Sequence, residues 1–164
     1  GCIGVALLAN EPGLLCDFAE ADTKAIAQIK INIKSNFIEP GRARVFQADV
    51  FKAKPAFAKS FGAAKYDFIF ANPPYIPTTR KSKVEKQVLK YEPKQALFGG
   101  KDGMQYIKKF LAQAKKHLQN NGQIFMEFDY VQQKGIEKLL KKNKYKKWQF
   151  GKDQYGKYRW VVIH

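Results

Sequence analysis

Tyr66-Asp67-Phe68-Ile69-Phe70-Ala71-Asn72-Pro73-Pro74-Tyr75 is the stretch on which the reading of the fold turns. Its first six residues form an apolar, aromatic-rich run with the length of a buried strand. The two prolines end it, because neither can donate a ladder hydrogen bond. The run therefore predicts a strand with Asn72 at its carboxyl edge. In an open α/β sheet that edge is where ligands bind, so a polar amide, exposed carbonyls and an aromatic ring arrive together at a candidate site. Taken alone, Asn-Pro-Pro is as well suited to a plain turn after a strand.

Outward from this stretch the elements alternate. Upstream, Cys2 to Asn10 is apolar and alanine-rich and reads as a short buried helix stopped by Glu11-Pro12-Gly13. Leu14 to Glu20 reads as a strand, and Asp22-Thr23 supplies the cap of a helix from about Lys24 to Ser35, with apolar positions Ala25, Ile26, Ile29 and Ile33. Ala43 to Ala48 is a second strand ending at Asp49, followed by a weak helix or loop around Pro55 to Phe61. Crossovers of this kind imply parallel strands. Downstream, Thr78 to Lys94 is a long polar, basic connection of the sort that is functional or partly helical. Gly99-Gly100-Lys101-Asp102-Gly103 leads into a helix from about Met104 to Leu118, whose Ile107, Phe110, Leu111 and Ala114 are core. Asn120-Asn121-Gly122 predicts a turn into a strand from Gln123 to Asp129, and Gly135 to Lys142 predicts another helix. Trp148 to Gly151 and Tyr158 to Ile163 are joined closely enough, around Gln154-Tyr155-Gly156, to be an antiparallel hairpin.

Composition bounds the classes. The 164 residues, 45% of them hydrophobic, suit one domain and one core. Thirty Lys and Arg against fourteen Asp and Glu give a formal charge of +16, which suits a polyanionic neighbour, although many lysines fall on solvated helix faces. Cys2, Cys16, His117 and His164 show no metal-ligand spacing, so neither a metal nor a thiol nucleophile is expected. The sequence shows neither a bilayer-length apolar stretch nor a secretory signal, so a reduced, cytoplasmic setting without a membrane is expected.

Three strand ends carry polar chemistry in sequence order: Glu20, Asp49 and Asn72. An acid at the first position accepts hydrogen bonds from ribose hydroxyls in nucleotide-binding α/β folds, and one at the second can accept from an exocyclic adenine amine. Asp22 is the rival to Glu20, but its place before a helix makes it the better cap. At the third end the chemistry suits a planar NH2 group. Its lone pair is delocalised and its hydrogens need acceptors, which the Asn72 side-chain oxygen and the Pro73 carbonyl could provide while Tyr75 packs on the flat face. Orientation of this kind can lower a barrier by roughly 7–11 kcal/mol.

Phe70-Ala71-Asn72-Pro73-Pro74-Tyr75-Ile76-Pro77, followed by Tyr91-Glu92-Pro93-Lys94-Gln95-Ala96-Leu97-Phe98-Gly99-Gly100-Lys101-Asp102-Gly103, resembles the protein-(glutamine-N5) methyltransferases that modify release factors, the PrmC/HemK family. The first block is shared with adenine-N6 methyltransferases. The second is specific to the glutamine-modifying branch. Gly1-Cys2-Ile3-Gly4-Val5-Ala6-Leu7 resembles the end of that family's cofactor loop, and Gln47-Ala48-Asp49-Val50-Phe51 its adenine-contacting segment.

The resemblance implies a Rossmann-like class I S-adenosylmethionine-dependent methyltransferase of the α/β class, with a mostly parallel sheet and a C-terminal antiparallel hairpin. It implies S-adenosyl-L-methionine as cofactor, held by Gly1, Glu20, Asp49 and Asn72, and a substrate glutamine amide held by Asn72, Pro73, Pro74 and Tyr75. Asn72, Pro73 and Tyr75 are its catalytic positions, a peptide chain release factor its protein substrate, and the neighbourhood of the ribosome its setting. Family members carry a helical N-terminal recognition domain, then a strand and glycine-rich turn ahead of the position matching Gly1. Residues 1–164 thus correspond to a single truncated catalytic domain lacking the first strand. Met126-Glu127-Phe128-Asp129-Tyr130 also departs from the family's glycine-containing form, with Phe128 in the glycine's place. The expected activity is transfer of a methyl group to a release-factor glutamine. The alternatives are adenine-N6 methylation of DNA or RNA, where direct nucleic-acid binding is not favoured because no target-recognition domain is visible, and a non-catalytic remnant.

Overall fold

The computed structural model describes residues 1–50, 65–91 and 93–164. The region around Pro55 to Phe61, together with Phe51 and Glu92, lies outside the described residues. The chain forms two compact units, Gly1–Ala64 and Lys65–His164.

In the first unit, helix α1 (Cys2–Asn10) is followed by strand β1 (Cys16–Glu20), helix α2 (Thr23–Ser35) and strand β2 (Ala43–Gln47). The two strands run parallel, from Cys16 opposite Ala43 to Glu20 opposite Gln47. Asp22 caps α2, its side chain accepting from the Ala25 amide at 2.8 Å, which supplies a partner to an amide that no helical carbonyl can reach. Among the described residues its core is Val5, Leu8, Phe18 and Ile29, with Ile33, Ile38 and Val45 against it. Gly4 lets α1 approach β1, since a Cβ there would stand 2.5 Å from the Phe18 ring. The end of α1 is tied down by Arg42, whose guanidinium donates to the carbonyls of Leu8 (3.0 Å), Glu11 (2.6 Å) and Leu14 (3.1 Å). One side chain from the start of β2 thereby satisfies a helix terminus and the chain leaving it.

In the second unit, strand β3 (Tyr66–Ala71) leads through a 3-10 turn (Thr78–Lys83) and two short helices, α3 (Lys86–Tyr91) and α4 (Lys94–Leu97), to helix α5 (Gln105–Gln113). Strand β4 (Leu118–Glu127), helix α6 (Gln133–Lys142) and strands β5 (Trp148–Lys152) and β6 (Tyr158–Ile163) complete it. The strand order is β3-β4-β6-β5, parallel between β3 and β4 and antiparallel beyond. Ile107 and Leu111 of α5, Ile136 and Leu140 of α6, and Ile124, Met126, Val161 and Ile163 of the sheet form one apolar core. The Tyr145 hydroxyl donates to the Leu111 carbonyl at 2.9 Å, and burial pushes that phenol up to about 12.

Four expectations are corrected here. The apolar run of β3 predicts burial on both faces, yet Ile69 and Ala71 alone join the core, while Phe68 and Phe70 remain 49% and 41% exposed beside Phe125. The turn expected at Asn120-Asn121-Gly122 lies inside β4. Tyr66 pairs with Leu118 and Phe68 with Gln123, so Asp67 alone faces Gln119 to Gly122 and the turn-forming residues are absorbed in a bulge. The strand expected to reach Asp129 ends at Glu127, and the helix expected to reach Leu118 gives way to a 3-10 turn at Ala114–His117. The strand and hairpin at Tyr66–Ala71, Trp148–Lys152 and Tyr158–Ile163 fall where the pattern predicts.

Ile107 is fully buried between sheet and helices, so Ile107→Ala should destabilise the second unit by about 2–5 kcal/mol. Urea unfolding followed by the fluorescence of Trp148 and Trp160 will measure this, with Lys109→Ala on the exposed side of α5 shifting stability by under about 0.5 kcal/mol.

Candidate active site

In the second unit, β3 stops at Ala71 and delivers Asn72 exposed, Pro73 buried, and Pro74 and Tyr75 half-buried. This turn lies on the glycine-rich block. The amide of Ile76 donates to the Leu97 carbonyl, that of Gly99 to the Ile76 carbonyl, and that of Thr78 to the Gly100 carbonyl, each at 2.9 Å. Gly99 passes so close beneath the turn that a Cβ would collide with the Pro74 carbonyl oxygen, and a Cβ on Gly103 would collide with that of Tyr75. Gly100 and Gly103 also have φ of +87° and +74°, which side chains disfavour. Asp102 then turns the chain into α5, accepting from the Met104 amide at 3.0 Å; its bond from Lys108 (2.8 Å), followed by that amide, holds its carboxyl below the usual range.

Tyr75 is held at both ends. Its carbonyl accepts from Gln132 Nε2 at 2.8 Å, and the same carboxamide accepts from the Asp129 amide at 3.1 Å through Oε1. Gln132 is only 4% exposed, and both ends of its amide are satisfied. At the ring, the Tyr75 hydroxyl donates to Glu127 Oε1 at 2.7 Å. Burial first, then the hydrogen bond and charge of Glu127, raise this phenol far above its ordinary range, so it stays neutral. Around them Asp129 faces Arg80 (3.5 Å) and Arg159 (3.6 Å), and Arg159 Nε donates to Asp153 at 3.1 Å.

Glu127 and Gln132 were not among the residues singled out by sequence. The rule that selects Glu20 and Asp49, a carboxylate closing a parallel strand, also selects Glu127 once β4 is known to end there. Phe128, which stands for the expected glycine, is fully buried and packs edge-on against Phe150 at 5.6 Å.

The first unit brings Glu20 and Asp49 to the carboxyl ends of adjacent parallel strands, with the Ala48 amide donating to the Glu20 carbonyl at 2.8 Å. Glu20 Oε1 accepts from the amides of Ala21 (2.7 Å) and Asp22 (2.9 Å), which fixes the carboxylate against its own turn. Gly1 begins α1 beneath α2, where a Cβ would stand 2.5 Å from Ile29. Among the described residues no group of His, Cys, Asp or Glu could hold a metal ion, and no helix is long and apolar enough to cross a membrane.

Residues 1–101 match the model of the methyltransferase small domain. The chain belongs to this family. It is 29% identical over 165 residues to the release factor glutamine methyltransferase of Flavobacterium psychrophilum, covering 100% of this chain and 55% of that protein. It is 29% identical over 127 residues to the ribosomal protein uL3 glutamine methyltransferase of Burkholderia pseudomallei, covering 77% of this chain and 41% of that one. Among solved structures it is similar to the METTL16 MTase domain, with a TM-score of 0.67 and 17% identity, covering 99% of this chain and 54% of that chain. The methyltransferase small domain seen here thus has the class I, Rossmann-like α/β fold, and its family's cofactor is S-adenosyl-L-methionine. The chain spans about half the length of the release factor relatives it matches. The donor set of the first unit fits a nucleoside: Glu20 ends β1 and Asp49 lies two residues past the end of β2, carboxylates of the kind suited to ribose hydroxyls and an adenine amine.

Gly103→Ala combines a left-handed backbone with a collision against the Tyr75 carbonyl and should destabilise the second unit by about 1–3 kcal/mol, read from its urea midpoint. Burial first, then the charge of Asp17, pushes the Cys16 thiol up to about 11, whereas Cys2 is exposed. Iodoacetamide at pH 8 should therefore label Cys2 well ahead of Cys16 by peptide mass mapping.

Proposed function

We propose that this methyltransferase transfers a methyl group from S-adenosyl-L-methionine to the side-chain amide nitrogen of a glutamine in a protein, with a peptide chain release factor as the substrate. The observation that carries this reading is the exposed Asn72 at the end of β3, followed by a turn whose backbone is pinned from below by Gly99 and Gly103 and from the side by Gln132. A primary amide needs two acceptors and a flat surface. Asn72 Oδ1 and the Pro73 carbonyl would take its two hydrogens, and the neutral Tyr75 ring would pack on its face. Acceptors bound to both hydrogens hold the nitrogen in one orientation, which is the main lever on a nucleophile whose lone pair is delocalised. In the first unit, Glu20 and Asp49 would hold the nucleoside of the cofactor, and the backbone of Gly1, which lies against Ile29, would border its amino-acid end. The bound cofactor supplies an electrophilic methyl group. The names of the relatives support glutamine as the acceptor and divide on the protein that carries it, a release factor or ribosomal protein uL3.

A second reading, adenine-N6 methylation of RNA or DNA, is supported by the Asn-Pro-Pro-Tyr turn and the formal charge of +16. One assay separates the two. The protein at its full encoded length is incubated with methyl-labelled cofactor and either a release factor or RNA and DNA. Methylation of a release-factor glutamine, found by mass spectrometry, is the expected outcome, and label transferred to nucleic acid alone would reject it. Asn72→Ala should lower transfer to glutamine by about 100-fold or more, measured with the same labelled cofactor and release factor.

A further inference from the structure

We propose that Glu127 is a positioning residue for methyl transfer, acting through the Tyr75 hydroxyl to hold the aromatic ring against the acceptor amide. This rests on the reading of the Asn72 to Tyr75 turn as the amide site. Three observations carry it. First, Ala71 pairs with Met126, so Asn72 and Glu127 are the next residues along two adjacent parallel strands and close the same edge of the sheet. Second, Glu127 Oε1 takes the Tyr75 phenol at 2.7 Å, a charge-assisted bond from a half-buried carboxylate to a half-buried ring. Third, the Tyr75 backbone is already fixed by Gln132 and by the approach of Gly103. With the main chain immobile, the remaining freedom is rotation of the side chain, which one-sided packing against the core limits and the Glu127 bond at the outer end of the ring fixes. A ring left free would have to be ordered by the substrate, at a cost to every turnover. The elevated Tyr75 phenol agrees with a hydroxyl that remains a donor across the working pH range.

The arrangement predicts dependence of one residue on the other. Glu127 should matter only while Tyr75 carries its hydroxyl. The test uses Y75F, E127A, E127Q and the Y75F/E127A double variant of the protein at its full encoded length, assayed on a release factor and examined by NMR of labelled tyrosine rings. Y75F and E127A should each lower kcat by about 10-fold to 100-fold, and the double variant should be no worse than either. E127Q, whose carboxamide oxygen still accepts from the phenol, should restore most of the rate, and calorimetric affinity for S-adenosyl-L-methionine should stay unchanged throughout. The Tyr75 ring should occupy one rotamer in the wild type and in E127Q and average among rotamers in E127A. Multiplying effects in the double variant, or a Tyr75 ring that stays in one rotamer in E127A, would overturn the proposal. A ring that loosens in E127A of a protein that never methylates glutamine would leave the positioning in place and reject the amide reading instead.

Discussion

The absence of a Cβ at Gly99 and Gly103 is the constraint on which the second unit depends. Two carbonyls of the Asn72 to Tyr75 turn lie where those side chains would begin, so turn and glycine block can exist only as a packed pair. The backbone bonds at Ile76, Gly99 and Thr78 follow from that approach, since they form only when the two segments lie side by side. A turn held by main-chain contacts does not depend on rotamers for its shape. That is the condition a site needs if its acceptors are to be in place before a ligand arrives.

The first unit meets a different problem. Among its described residues Val5, Leu8, Phe18 and Ile29 are buried, and α1 ends two residues past Leu8. Arg42 collects three carbonyls, so the chain between α1 and β1 is held by polar bonds as well as by the packing of Leu8 and Leu14. The consequence reaches the strand ends. Parallel pairing from Cys16 to Glu20 needs β1 to enter in register, and the residues that set the entry are those Arg42 grips. Glu20 then folds back on the amides of its own turn, so the carboxylate is oriented by local geometry.

Much of this was legible in the residues. An apolar run ended by two prolines gives β3 without ambiguity, and Asp22 before a helical repeat gives the start of α2, because each signal is local. Local signals failed where a neighbour outweighed them. Asn120-Asn121-Gly122 has the chemistry of a turn, but Tyr66 and Leu118 pair across it and the residues bulge instead. Phe68 and Phe70 read as core because apolar strands are usually buried on both faces, whereas exposure is decided by what lies opposite, which periodicity does not encode. The same holds for Glu127. Its partner Tyr75 lies fifty-two positions away in sequence, and only the pairing of β3 with β4 brings them to one edge. The block Gly99-Gly100-Lys101-Asp102-Gly103 was visible as a signature, but its reason, the approach of the Pro74 and Tyr75 carbonyls, is three-dimensional.

Charge placement bears on the kind of acceptor the turn suits. The chain carries a large positive excess, yet several of its lysines are spent locally: Lys141 on Glu137 one helical turn away, Lys108 on Asp102, and Lys115 on the carbonyl of Lys144. Exposed pairs of this kind contribute little to stability and select no ligand. At the strand ends the balance differs. Arg80 and Arg159 face Asp129, Arg159 also binds Asp153, and Glu127 adds a further carboxylate on Tyr75. Both arginines pair with carboxylates while their side chains stay 44% and 38% exposed, so the cluster beside the turn is of mixed charge and not purely basic. On the proposed reading it is the acceptors of the turn, and not this cluster, that would hold a primary amide.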